Sequence, residues 1–154
     1  MHRSYLLFLI TLLFASCSQP VVFEHTEVFD NQIWNRFHFI ELDVPVADAD
    51  ALYDLALDFT HSEDYPSDHI AVNFTVYFSS GGMRSRDYTF RLQDGSQNWT
   101  GEKSDKGFKQ RFTLISDMQF PEAGTQRIRI ESKMTKFDMP GVVSLGFVVN
   151  KKKD

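Results

Sequence analysis

Cysteine is almost missing from this sequence: Cys17 is the only one in 154 residues. No disulfide can form within the chain, so packing alone must hold the fold. Long apolar runs are missing too. The stretch from Tyr5 to Phe14 is about a dozen residues at most, against the roughly 20 that a spanning helix needs. Positive charge is not in surplus: 16 Lys and Arg face 21 Asp and Glu, for a net charge of −5. A mildly acidic domain is a poor candidate for nucleic acid, or for anionic lipid by charge alone. The spacings of zinc hydrolases, calcium loops and the nucleophile elbow of serine hydrolases do not occur. Repeats, low-complexity segments and alternating strand–helix units are also lacking. Aromatics are plentiful, at 14% of the chain with 15 Phe, and such composition favours sheets.

The amino terminus has a recognisable order. Met1-His2-Arg3-Ser4 is basic, Tyr5 to Phe14 is apolar, and Ala15-Ser16-Cys17-Ser18 offers small residues at a cut site. A cysteine directly after the small pair resembles a bacterial lipoprotein signal. On that reading residues 1–16 are removed, the Cys17 thiol is acylated, and membrane lipid holds the new terminus. Ordinary secretion with cleavage near Ala15 is the alternative, and Phe14, where such signals usually carry an aliphatic residue, favours it. It leaves a lone thiol unexplained. Residues 17–34 have no firm period and read as a lipidated terminus and tether, with residues 35–154 as the domain.

Period-two alternation dominates the domain. His38, Ile40, Leu42 and Val44 share one face, with Phe37 and Phe39 on the other. Tyr53, Leu55, Leu57 and Phe59 alternate with Asp54, Ala56, Asp58 and Thr60. The same pattern recurs over Ile70–Phe78, Tyr88–Leu92, Phe112–Leu114, Ile128–Glu131 and Val143–Val149. Residues 47–58 also carry helix formers, but the clean alternation through Phe59 favours a strand. Ser79-Ser80-Gly81-Gly82, Asp94-Gly95-Ser96, Asp105-Lys106-Gly107 and Pro121-Glu122-Ala123-Gly124 supply turns. Seven or eight short strands with such breaks predict an all-β fold, an antiparallel β-sandwich of jelly-roll or Ig-like type.

Candidates for chemistry are few. The polar cluster from His61 to His69 holds two histidines and three carboxylates, yet Pro and Asp suit a plain loop between strands. His25 and His38 stand alone in the sequence. Trp34 and Trp99 either pack in the core or offer a face to a sugar. Asn73 and Asn98 open accidental glycosylation sequons. No catalytic residue, no metal ligand and no cofactor is expected, and Cys17 is the one site of covalent chemistry.

The order of the segments resembles the GldH gliding-motility lipoproteins of the Bacteroidetes. The matching blocks are Tyr53-Asp54-Leu55-Ala56-Leu57 with Asp64-Tyr65-Pro66, and Asp94-Gly95-Ser96-Gln97-Asn98-Trp99-Thr100-Gly101. Phe120-Pro121-Glu122-Ala123-Gly124 and Pro140-Gly141-Val142-Val143-Ser144-Leu145-Gly146-Phe147 complete the set. Thr60-His61 and Thr135 stand where that family tends to carry Arg-Asn and Arg, so no role of those basic residues carries over. The resemblance implies a non-enzymatic, lipid-anchored envelope component tied to gliding and to type IX secretion of adhesins. Its partners would be membrane lipid through Cys17 and other envelope proteins, with no nucleic acid. The absence of Asp after Cys17 and of an acidic cluster near it points to the outer membrane, facing the periplasm. A carbohydrate-binding lipoprotein is the competing reading, and a small envelope hydrolase a more distant one.

Overall fold

The computed structural model describes residues 19–153. The expected signal segment and Cys17 lie outside the described residues. Eleven strands follow in order. They are β1 (Val21–Val28), β2 (Ile33–Asn35), β3 (Ile40–Val46), β4 (Tyr53–His61), β5 (His69–Tyr77) and β6 (Met83–Arg91). Then come β7 (Glu102–Ser104), β8 (Gly107–Met118), β9 (Gly124–Ser132), β10 (Asp138–Pro140) and β11 (Val142–Lys151). A five-stranded sheet runs β1-β11-β4-β8-β7 and a four-stranded sheet runs β3-β9-β5-β6, while β2 and β10 form a small clip. Every pairing is antiparallel.

The expected sandwich is therefore present, and its inward rows follow from the alternation. His25, Phe147, Leu57 and Phe112 lie side by side across the five-stranded sheet, next to a row of Glu27, Leu145, Phe59 and Gln110. Ile70, Val72, Phe74 and Val76 of β5 face them from the other sheet, and Phe74 meets Phe147 at 5.6 Å between ring centres. At the far edge Phe90 stacks on Phe112 at 4.5 Å, and the Tyr88 hydroxyl donates to the Leu114 carbonyl at 2.7 Å.

Two expectations need correction. Residues 21–34, placed in the tether, instead hold β1, a short turn over Asp30–Gln32 and the start of β2, and Trp34 is fully buried. The period was hard to see because β1 is an edge strand. Its inward positions are Phe23, His25 and Glu27, and only Phe23 needs to be apolar there. Second, the alternate residues of β4 are not left open: Ala56, Asp58 and Thr60 are 5–8% exposed, against 0% for Leu55, Leu57 and Phe59. Its place at the middle of the five-stranded sheet, with long side chains from β8 lying over it, explains this. Residues 47–52 connect β3 to β4 without a strand or helix, and the strand begins at Tyr53.

Strand direction sorts the connections onto two poles. Pro20 accepts a hydrogen bond from the Lys151 backbone at 3.0 Å, so the chain enters where it leaves, beside the Phe78–Gly82 turn's end of the sandwich. The longer loops, 36–39, 62–68, 92–101 and 133–137, gather at the opposite pole.

Candidate functional site

The loop pole collects most of the residues singled out from the sequence. His61 ends β4 and is 2% exposed, so it belongs to the core and not to a polar loop. Its ring lies 4.5 Å from Trp99, 5.2 Å from Tyr65 and 5.7 Å from both Phe59 and Phe108, measured between centres. Nδ1 donates to the Ser62 carbonyl at 2.9 Å. Burial holds the imidazole below its ordinary pKa and outweighs that carbonyl, which favours the charged form. Burial likewise pushes the Tyr65 hydroxyl well above its ordinary value. The Tyr65 hydroxyl donates to the His69 carbonyl at 3.2 Å. His69 opens β5 and pairs with Asp68 at 2.7 Å, so the two histidines do not share a site.

Turns tighten around this ring cluster. Gly107 has φ +122°, and a Cβ there would lie 2.0 Å from the His61 carbonyl oxygen. Gly141 has φ +79°, and its Cβ would meet the Tyr65 Cα at 2.9 Å. Only glycine serves at such positions. The Asp94 turn delivers Trp99: its carboxylate accepts from the Ser96 and Asn98 amides at 2.8 and 3.0 Å. Those bonds hold the Asp94 carboxyl below the usual range. Trp99 is half-buried against His61 and Phe108, and Trp34 donates from Nε1 to the His38 carbonyl at 2.9 Å. Trp34, fully buried, offers a sugar no face.

The structure brings together groups that looked solitary. His38 Nε2 and His25 Nε2 reach the two oxygens of Glu27 at 3.1 and 3.4 Å. Among the described residues no group of three or more His, Cys, Asp or Glu is placed to hold a metal ion. On the outer face, Asp58 is nearly enclosed, and Arg111 grips it through Nε and a terminal nitrogen at 2.6 and 2.7 Å. Lys109 adds a contact at 3.4 Å. Burial alone would raise the Asp58 pKa, but the Arg111 hydrogen bonds and both cations hold it below its ordinary value. A groove of about 760 Å³ opens at the same pole, with Val143 and Ser144 on its floor. Its walls are the Phe29–Gln32 turn and the β7–β8 hairpin.

A family profile described as GldH lipoprotein matches residues 21–149. The chain belongs to the GldH lipoprotein family. A comparison with curated proteins finds no match. The matched span begins at the first residue of β1 and ends within β11, so it covers the sandwich and stops short of Cys17. Membership makes this a gliding-motility-associated lipoprotein, lipid-anchored and associated with the envelope. Among the described residues no helix is long and apolar enough to cross a membrane. The blocks around Tyr65, Trp99 and Gly141, scattered along the chain, meet at one place, the packing about His61.

Proposed function

We propose that this GldH-family lipoprotein is a non-enzymatic assembly component of the envelope machinery for gliding and type IX secretion. Acylated Cys17 holds it to the outer membrane on the periplasmic side, and its loop pole binds other envelope proteins. The observation that carries this reading is the separation of the two poles. The chain enters the sandwich at one end, and the loops and exposed aromatics stand at the other. Three residues separate Cys17 from Val21, a reach of no more than about 14 Å. The eight residues of β1 then carry the chain about 25 Å further. An acylated Cys17 would thus hold the entry pole near the bilayer and present the loop pole away from it. The non-enzymatic reading is supported by what the perturbed groups touch: His61, Tyr65 and Asp58 are each tied into packing or ion pairs.

Deletion of the gene in the native bacterium tests the role, with colony spreading and surface adhesins as readouts. The deletion strain is expected to lose both, and the wild-type gene to restore them. Normal spreading and adhesin export in the deletion strain would remove the proposed role. The Cys17→Ala gene is expected to yield a soluble domain that restores neither; membrane retention of that variant would remove the anchor.

A further inference from the structure

We propose that the aromatic corner made by Phe37, Phe39 and Phe137 docks a partner protein segment that presents an apolar side chain flanked by carboxylates. The proposal rests on the reading that the loop pole binds envelope proteins, and it specifies the chemistry of that contact. Phe37 is 66% exposed, Phe137 51% and Phe39 37%. Phe37 stands edge-on to Phe137 at 5.3 Å and to Phe39 at 6.5 Å, so the three rings form one continuous surface. Exposed apolar clusters of this kind are uncommon on isolated domains and mark contact sites.

The corner is rigid before any partner arrives. The Arg36 guanidinium donates to the Met134 and Thr135 carbonyls at 2.5 and 2.6 Å. The Arg36 amide donates to the Phe137 carbonyl at 2.8 Å, and Asn35 Nδ2 donates to Asp138 at 2.7 Å. These bonds lock the 36–39 loop to the 133–137 loop, which lowers the ordering cost of binding. Arg129 stacks its guanidinium 3.9 Å from the Phe39 ring centre. Its Nε lies 2.8 Å from Glu131 but is not aligned as a hydrogen bond and has no other partner. A cavity of about 340 Å³ lies between Phe37, Phe39, Lys133 and Met134, large enough for one apolar side chain.

Charge selects the occupant. Arg36, Arg129 and Lys133 border the corner against Glu131, and Lys136 and Asp138 flank Phe137 in the chain. Neither Lys133 nor Lys136 makes an ion pair among the described residues. A second copy docking across a two-fold axis would bring like charges together. A bilayer would suit basic and aromatic groups, but the chain enters at the opposite pole. An acidic-flanked apolar segment satisfies both the rings and the rim.

The test places a photo-crosslinking benzoyl group on the ring at position 37 or 137 of the full-length protein in the native bacterium. Val22, exposed near the chain entry, serves as the control position. The adduct is expected to map by mass spectrometry to a protein segment with an apolar residue beside Asp or Glu. Its yield should fall about tenfold in a Lys133→Glu, Lys136→Glu background and hold in an Arg84→Glu background, since Arg84 is exposed at the start of β6, at the chain-entry pole. An adduct to phospholipid, to a second copy or to a segment without carboxylates overturns the proposal. So does the absence of adduct at both positions, or a yield indifferent to the rim charges. Motility is scored separately, so a strain that spreads normally without the crosslink discards the surface and leaves the motility role standing.

Discussion

His61 shows how one side chain ties stability to pH. Its folded-state pKa lies below the ordinary 6.5 because the surrounding rings exclude water from the imidazolium. The unfolded chain therefore binds a proton that the folded chain refuses. The stabilisation is whole above about pH 6.5 and is lost as the pH falls from there through the folded value. His61→Phe keeps a ring in place and carries no proton, so its unfolding midpoint should stay flatter than wild type between pH 7 and 5. Equal slopes in calorimetry would show that His61 takes up its proton alike in the folded and the unfolded chain. Asp58 acts in a lower window: its folded pKa is depressed, so its contribution stands above the ordinary 3.8 and disappears on acidification through the folded value. The pair is also asymmetric. Arg111→Ala leaves a nearly enclosed carboxylate with Lys109 alone and should cost about 3 kcal/mol. Asp58→Ala leaves a guanidinium that is half exposed and should cost less, about 1–2 kcal/mol. Urea titration of both variants checks the order.

At the scale of elements, edges and tight turns carry the consequences. β1 covers the edge of β11 through seven paired positions from Val21 to Val28, and Phe23 packs 6.2 Å from Phe147. A chain beginning at Phe29 would expose that edge, an unpaired strand that other chains can join. It should aggregate on size exclusion, whereas a chain beginning at Gln19 should run as a folded monomer. Equal behaviour of the two would return residues 21–28 to the tether. In the β7–β8 hairpin, a side chain at Gly107 has no room beside the His61 carbonyl and would also hold an unfavourable φ. Gly107→Ala should cost more than about 3 kcal/mol or abolish folding. A midpoint within a few degrees of wild type would mean that the hairpin shifts without penalty. The central strands were legible because β4, β5 and β11 bury the face that their alternation marks. β1 was not, since an edge strand buries too little for its polar inward residues to matter.

For the whole molecule, the decisive feature is that entry and loops occupy opposite poles. A domain held by its amino terminus offers the other pole to partners without any hinge or helix. Cys17→Ala should therefore leave the sandwich intact, with an unfolding midpoint equal to that of the lipid-anchored form in detergent. A lower midpoint would mean that residues before Val21 contribute to the fold. Legibility of the loop pole was partial. Tyr65, Trp99 and Gly141 drew notice singly, but only the pairing of β4 with β8 and β11 puts them about His61.

The sequence by itself determined the all-β class, the inward face of each central strand and the reliance on packing without a disulfide. These are local properties, because the pleat repeats every two residues and a single cysteine has no partner. Tertiary structure alone decided that His25 and His38 meet on Glu27, that outward-pointing Asp58 is enclosed, and that Phe37, Phe39 and Phe137 form one exposed corner. Each of these depends on which strands lie side by side and where a sheet ends. Register between segments more than a hundred residues apart sets that, and no local pattern records it.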